Sequence, residues 1–113
     1  MNIMKTISMT GPAPALQKMS EVICLYADAA YPRGGSECAQ AARSGLTDTA
    51  EKISEQLNQN QSPIIISRRI KTHIKAAIQY YLEAHSDQKD VEPRSRIMLA
   101  ILNGETIEDQ DWP

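Results

Sequence analysis

The sequence predicts an all-α fold, a compact bundle of about five helices, from three observations. Apolar residues recur at spacings of three and four along most of the chain. The chain has no Phe and a single Trp, so Ile, Leu, Ala and Met must fill the interior, which suits helices in close contact better than a β-sandwich. Proline, glycine and capping residues stand where such helices start and stop. At 113 residues the chain fits one core, and no internal repeat divides it.

Residues 1 to 12 are polar, Met-rich and end in Gly11-Pro12, the pattern of a flexible arm or a single edge strand. A single helical domain is expected over residues 13 to 104. Leu16, Met19, Ile23, Tyr26, Ala27 and Ala30 give a first helix near residues 14 to 30, bounded by Pro14 and Pro32. After the breaker Pro32-Arg33-Gly34-Gly35, Ser36 is a good N-cap for a short helix over residues 37 to 43. Its stripe is Cys38, Ala41 and Ala42, and Gly45 ends it. Asp48 and Glu51 match a capping box that opens a third helix near residues 49 to 58, with Ala50, Ile53 and Leu57 on its apolar side.

Gln59-Asn60-Gln61-Ser62-Pro63 interrupts that helix, and the most informative stretch follows over residues 64 to 82. Ile66, Ile70, Ile74, Ala77, Ile78, Tyr81 and Leu82 share one face of a long helix, while Arg68, Lys71, Lys75 and Gln79 recur on another. The β-branched run Ile64, Ile65 and Ile66 is equally a short buried strand, so the start of the helix stays open. A loop over residues 86 to 90 leads to a last helix with Pro93 in its first turn, carrying Ile97, Met98, Ala100 and Ile101 and stopping at Asn103-Gly104. Residues 105 to 113 form an acidic tail with Trp112.

The net charge of −2, from twelve cationic and fourteen anionic side chains, gives no global attraction to nucleic acid or anionic lipid. The charge is segregated instead. Arg68, Arg69, Lys71 and Lys75 stand together without an acid, and Glu105, Glu108, Asp109 and Asp111 without a base. Cys24 and Cys38 fall in helical patterns and read as small core residues, their pairing left open. No stretch has the apolar length of a membrane span or of a leader segment, so a cytoplasmic location is expected.

The segment from residue 49 to 71 is laid out as a degenerate helix-turn-helix, a capped helix followed by a polar turn and then Ile66-Ser67-Arg68-Arg69-Ile70-Lys71. In such a unit the second helix brings short polar and cationic side chains to the major groove while its apolar face rests on the core. Arg donates paired hydrogen bonds to guanine or phosphate, and the Ser67 or Ser62 hydroxyl anchors phosphate. Ser67, Arg68, Arg69, Lys71 and Lys75 are therefore the expected DNA-binding residues of a small transcriptional regulator, a homodimer reading a symmetric site. The turn is longer than usual and lacks glycine, as expected of a plain structural hairpin.

A second reading starts from Arg69, His73, Ala76 and Tyr80, which share a stripe between the apolar and cationic faces. Tyr and Arg anchor protein contacts. With Glu108, Asp109, Asp111 and Trp112 of the tail, the stripe suits a non-enzymatic protein-binding module, an inhibitor or antitoxin-like partner. His73 and His85 are twelve residues apart with no paired ligand at turn spacing, so no metal is expected. No phosphate loop or nucleophile motif is present, so neither catalysis nor a cofactor is expected.

Overall fold

The computed structural model describes residues 5 to 113, and the start of the expected arm, residues 1 to 4, lies outside them. Four α-helices and a two-stranded antiparallel sheet follow in the order β1 (Thr6–Met9), α1 (Ala13–Ala30), α2 (Glu37–Asn58), β2 (Ile64–Ser67), α3 (Lys71–Ala84) and α4 (Val91–Leu102). Short 3-10 turns occupy Arg68–Ile70 and Asp109–Asp111. The protein is thus mostly helical, as expected, with a strand pair beside the helices.

Helix α1 is the centre. Ala15, Leu16, Met19, Val22, Ile23 and Ala27 are buried on it, and it packs against α2, α3 and α4. The buried residues of all elements form one aliphatic cluster that reaches from Met9 to Leu102. Where α1 crosses α2, the buried Ser20 hydroxyl donates to the Ala50 carbonyl at 3.0 Å and lies 3.1 Å from the Ser54 hydroxyl, so the polar group taken out of water is paired. Among the described residues no helix is long and apolar enough to cross a membrane.

Two expected helices are one. Ser36 caps the chain as expected, accepting from the Ala39 N–H at 3.1 Å, but α2 then runs through Gly45 to Asn58. Gly45 costs about 1 kcal/mol in a helix interior, and the stripe Leu46, Thr49, Ala50 and Ile53, buried against its neighbours, outweighs it. Asp48 lies inside the helix and opens nothing. Past the end of the helix Asn60 takes a φ of 55°, and the Asn60 N–H reaches the Leu57 carbonyl at 3.0 Å and the Gln61 N–H the Gln56 carbonyl at 2.9 Å.

Residues 64 to 67 take the strand alternative. Ile64 and Ile66 point inward and Ile65 outward, the period-two pattern of a half-buried strand, with Met9 opposite Ile64 and Ile7 opposite Ile66. Gln56 of α2 covers the other edge of β2: its side-chain amide donates to the Ile65 carbonyl and accepts from the Ile65 N–H, both at 2.8 Å. Gly11 follows β1 at a point where a Cβ would come within 2.7 Å of Ile101 Cδ1, so a larger residue there would require the Ile101 side chain to shift. At the far end of α4, Gly104 at φ 95° closes the helix through bonds from the Gly104 N–H to the Ile101 carbonyl and from the Glu105 N–H to the Ala100 carbonyl.

Within α3, Ile74, Ala77 and Ile78 are fully buried and Tyr81 nearly so, as is Ile70 just before it. Ile74→Asp therefore sets a carboxylate among aliphatic groups, and the expected cost of several kcal/mol is comparable with the about 5–15 kcal/mol total stability of such a domain. Thermal melting followed by circular dichroism should find the variant largely unfolded; a wild-type melting curve would put the phase of α3 in error.

Candidate nucleic-acid interface

The corner where β2 becomes α3 carries the cations. Pairing with β1 holds the chain extended as far as Ser67, and the Arg68 N–H donates to the Lys5 carbonyl at 2.8 Å. Ser67 then caps the 3-10 turn, its hydroxyl oxygen accepting from the Arg69 N–H at 3.2 Å. The cap fixes where helical winding begins, and with it the direction of each side chain that follows.

Arg68, Arg69 and Lys75 are exposed and Lys71 is half-buried. Among the described residues none of the four is within ion-pair distance of an acid, and the ion pairs are Lys18–Glu21, Arg43–Asp28 and Arg96–Glu92. At 100° per residue from the buried Ile74, Arg68, Lys71 and Lys75 fall on one flank of the helical path, and Arg69 falls on the other with His73 and Tyr80. The first turn of α3 contains no acid and its last turn no base. The cations therefore add to the positive end of the helix dipole instead of offsetting it, and positive potential is concentrated at this corner.

The expected helix-turn-helix takes a different form. Helices α2 and α3 are separated by residues 59 to 70, which contain a sheet strand and a 3-10 turn instead of a short turn. Ser62 is exposed in the link before β2. Lys5, exposed and bonded through its carbonyl to Arg68, joins the basic corner without having been singled out from the sequence. The available signal was the alternation Thr6-Ile7-Ser8-Met9, whose Ile7 and Met9 pair with β2 residues that face the core.

The other flank of α3 continues into aromatic rings. His73 meets Tyr31 at 6.2 Å between ring centroids, Tyr31 meets Tyr26 at 6.0 Å, Tyr26 meets Tyr80 at 5.9 Å, and Tyr80 meets His85 at 6.2 Å. Burial, followed by the neighbouring Tyr31, pushes the Tyr26 hydroxyl pKa up. Arg43 holds the end of α1 beneath this surface, donating to the Tyr31 carbonyl at 3.1 Å and to the Asp28 carboxylate at 2.7 Å.

The acidic tail is folded back elsewhere. Trp112 is half-buried, with the Arg94 guanidinium 5.2 Å from its ring, and Arg94 also donates to the Pro113 carbonyl at 3.0 Å. Glu108, Asp109 and Asp111 are exposed beside it. Tyr80 and Trp112, placed together in the protein-binding reading, thus have different neighbours. No group of three or more His, Cys, Asp or Glu side chains suited to a metal ion occurs among the described residues.

The cysteines are not core residues: both are free and exposed, on sides of α1 and α2 that the apolar stripes leave to solvent. The Cys24 thiol pKa is raised, by partial burial first and then by the Asp28 carboxylate, with Arg43 acting the opposite way. A raised pKa means less thiolate, so at about pH 8 Cys24 in a Cys38→Ser background should be alkylated by iodoacetamide more slowly than an unperturbed cysteine peptide. Asp28→Asn should speed the reaction. Mass-spectrometric time courses measure both rates, and an Asp28→Asn variant no faster than its parent would contradict the assigned cause.

No protein-family model matches the chain, and neither a curated protein nor a solved structure matches it.

Proposed function

We propose that the protein is a small, non-enzymatic DNA-binding regulator that grips duplex phosphates with the corner made by Lys5, Ser67, Arg68, Arg69, Lys71 and Lys75. The observation that carries this reading is the set of four cations of residues 68 to 75, unpaired with any acid among the described residues and gathered at the positive end of α3. A structural role for surface charge normally brings acids to a helix start and cations to its end. Here the order is reversed, and the arrangement gains energy only when an anion arrives.

Phosphate contacts position a protein on DNA without reading sequence. Two features supply candidates for base contact. Arg69 stands on a different flank from Arg68, Lys71 and Lys75, so one corner can hold the backbone and reach a guanine edge together. The outward face of the strand pair carries Thr6, Ser8 and Ser67 around Ile65, and short hydroxyl side chains are of the kind a two-stranded ribbon presents to a major groove. A homodimer would set two such corners on the halves of a symmetric site.

Aromatic continuity favours a second reading, a protein-binding module. Tyr26, Tyr31, Tyr80, His73 and His85 form one connected surface on the same side as Arg69, and Leu25, 44% exposed, is the large apolar residue left in solvent on α1. DNA takes precedence because the cations are fixed by the fold at one helix end, whereas Trp112 is already occupied by Arg94.

Affinity for mixed duplex DNA, followed by fluorescence anisotropy, should fall with salt at a log-log slope of about −0.9 per phosphate neutralised, or about −3 to −4 with most of these cations engaged. A flat response would remove DNA. Replacing Arg68 and Arg69 together by Ala should weaken binding by about 2 kcal/mol or more while leaving the melting temperature nearly unchanged, since exposed charged contacts are lost from a helix anchored by its other face. Undiminished binding by the folded double variant would move the contact elsewhere on the surface.

A further inference from the structure

Between α2 and the start of α3 the surface sinks into a cleft of about 340 Å³. Its basic groups come from three elements: Lys52 from α2, Arg69 from the 3-10 turn and His73 from α3. Neither Lys52 nor Arg69 is within ion-pair distance of an acid among the described residues, although Asp48 stands in the same wall. Ser67 lines the cleft as well. Its oxygen accepts the Arg69 N–H, which leaves its own O–H free to donate outward. The Thr49 hydroxyl donates to the Gly45 carbonyl at 2.8 Å and so offers the cleft only lone pairs.

The floor is carbon, at Gly45 and Ile70. A Cβ at position 45 would meet only Ile70 Cδ1, at 3.4 Å, an ordinary contact. Packing therefore does not require glycine there, and glycine in a helix interior costs about 1 kcal/mol relative to alanine. What the missing side chain does is keep the floor open.

We propose that this cleft binds a small organic phosphate monoester, with its phosphate held by Lys52, Arg69 and the Ser67 hydroxyl and its carbon body resting on Gly45 and Ile70. Three donors from separate elements match the three terminal oxygens of a phosphate monoester better than the two of a carboxylate. The volume lies at the small end of the about 300–1,000 Å³ range of ligand clefts, which suits one ring-sized body. Asp48 opposes a second phosphate. The proposal goes beyond DNA binding, sharing Ser67 and Arg69 with that surface but not depending on it.

Phenyl phosphate is the probe, titrated into the full-length protein without DNA and followed by amide nuclear magnetic resonance shifts. Saturable shifts are expected at Gly45, Thr49, Ser67 and Arg69, with inorganic phosphate binding more weakly because it lacks the carbon body. Lys52→Gln, an exposed change, should raise Kd about tenfold or more, as for the loss of one charged hydrogen bond. Gly45→Met, which fills the floor with a flexible side chain, should abolish binding while the spectrum stays dispersed. The inference is overturned by the absence of saturable shifts, by shifts centred away from the cleft, by a Lys52→Gln Kd within about twofold of wild type, or by inorganic phosphate binding as tightly as the phenyl ester.

Discussion

The orientation of the charged groups in this protein depends on one hydroxyl, that of Ser67. Up to that residue the chain is a strand, pinned by β1 on one side and by the Gln56 amide on the other. At Ser67 the side chain takes the Arg69 N–H and helical winding begins. Each residue of slip at this point would turn α3 by 100°, carrying Ile74 out of the core and, in one direction, turning Lys75 into it. The burial of Ile70, Ile74, Ala77, Ile78 and Tyr81 holds the same phase from the far side. The strand end and the apolar face thus determine together where Arg68, Arg69, Lys71 and Lys75 point.

That placement works against the helix. Cations at a helix start, here Arg68 and Arg69 in the 3-10 turn and Lys71 in the first turn of α3, oppose the dipole by about 0.3–1 kcal/mol each. No acid offsets them there. Helix α4 has the ordinary arrangement, Glu92 in its first turn paired with Arg96 one turn on. The tail, which holds four acids between residues 105 and 111, is kept at α4 by Arg94 through both Trp112 and the Pro113 carbonyl. The stability that tolerates the unfavourable corner comes from the aliphatic cluster around α1, where burial contributes roughly 1.5–3 kcal/mol for each large side chain.

Legibility in the sequence followed the strength of local signals. The limits of α1, the Ser36 cap and the stop at Asn103-Gly104 were readable because proline, serine and glycine act through local backbone geometry. The inward phase of Ile70 and Ile74 was readable from spacing alone. The continuity of α2 was not, because Gly45 and Asp48 are local signals to stop and start, and the packing that overrides them lies thirty residues away in α1. For residues 64 to 66 the sequence allowed strand or helix, and the choice depends on β1, a partner nearly sixty residues distant. Lys5 and Lys52 carry no local signal for the same reason. Each reaches the basic region only through a long-range contact, Lys5 through the sheet and Lys52 across the cleft.

The strand also changes what the basic segment can be. A helix running unbroken from residue 64 would have put Ser67 on its surface as one more polar side chain. With the strand in place, Ser67 ends a ribbon, starts a helix and opens toward the cleft beside Arg69. Arg69 in turn stands at the junction of the strand end, the cleft and the flank that continues through His73 into the tyrosine rings. The flank of Arg68, Lys71 and Lys75 has no such neighbours and presents charge alone. The segment from Ser67 to Lys75 therefore carries two chemically different surfaces, an open cationic flank of Arg68, Lys71 and Lys75 and a recessed one that Ser67 and Arg69 line.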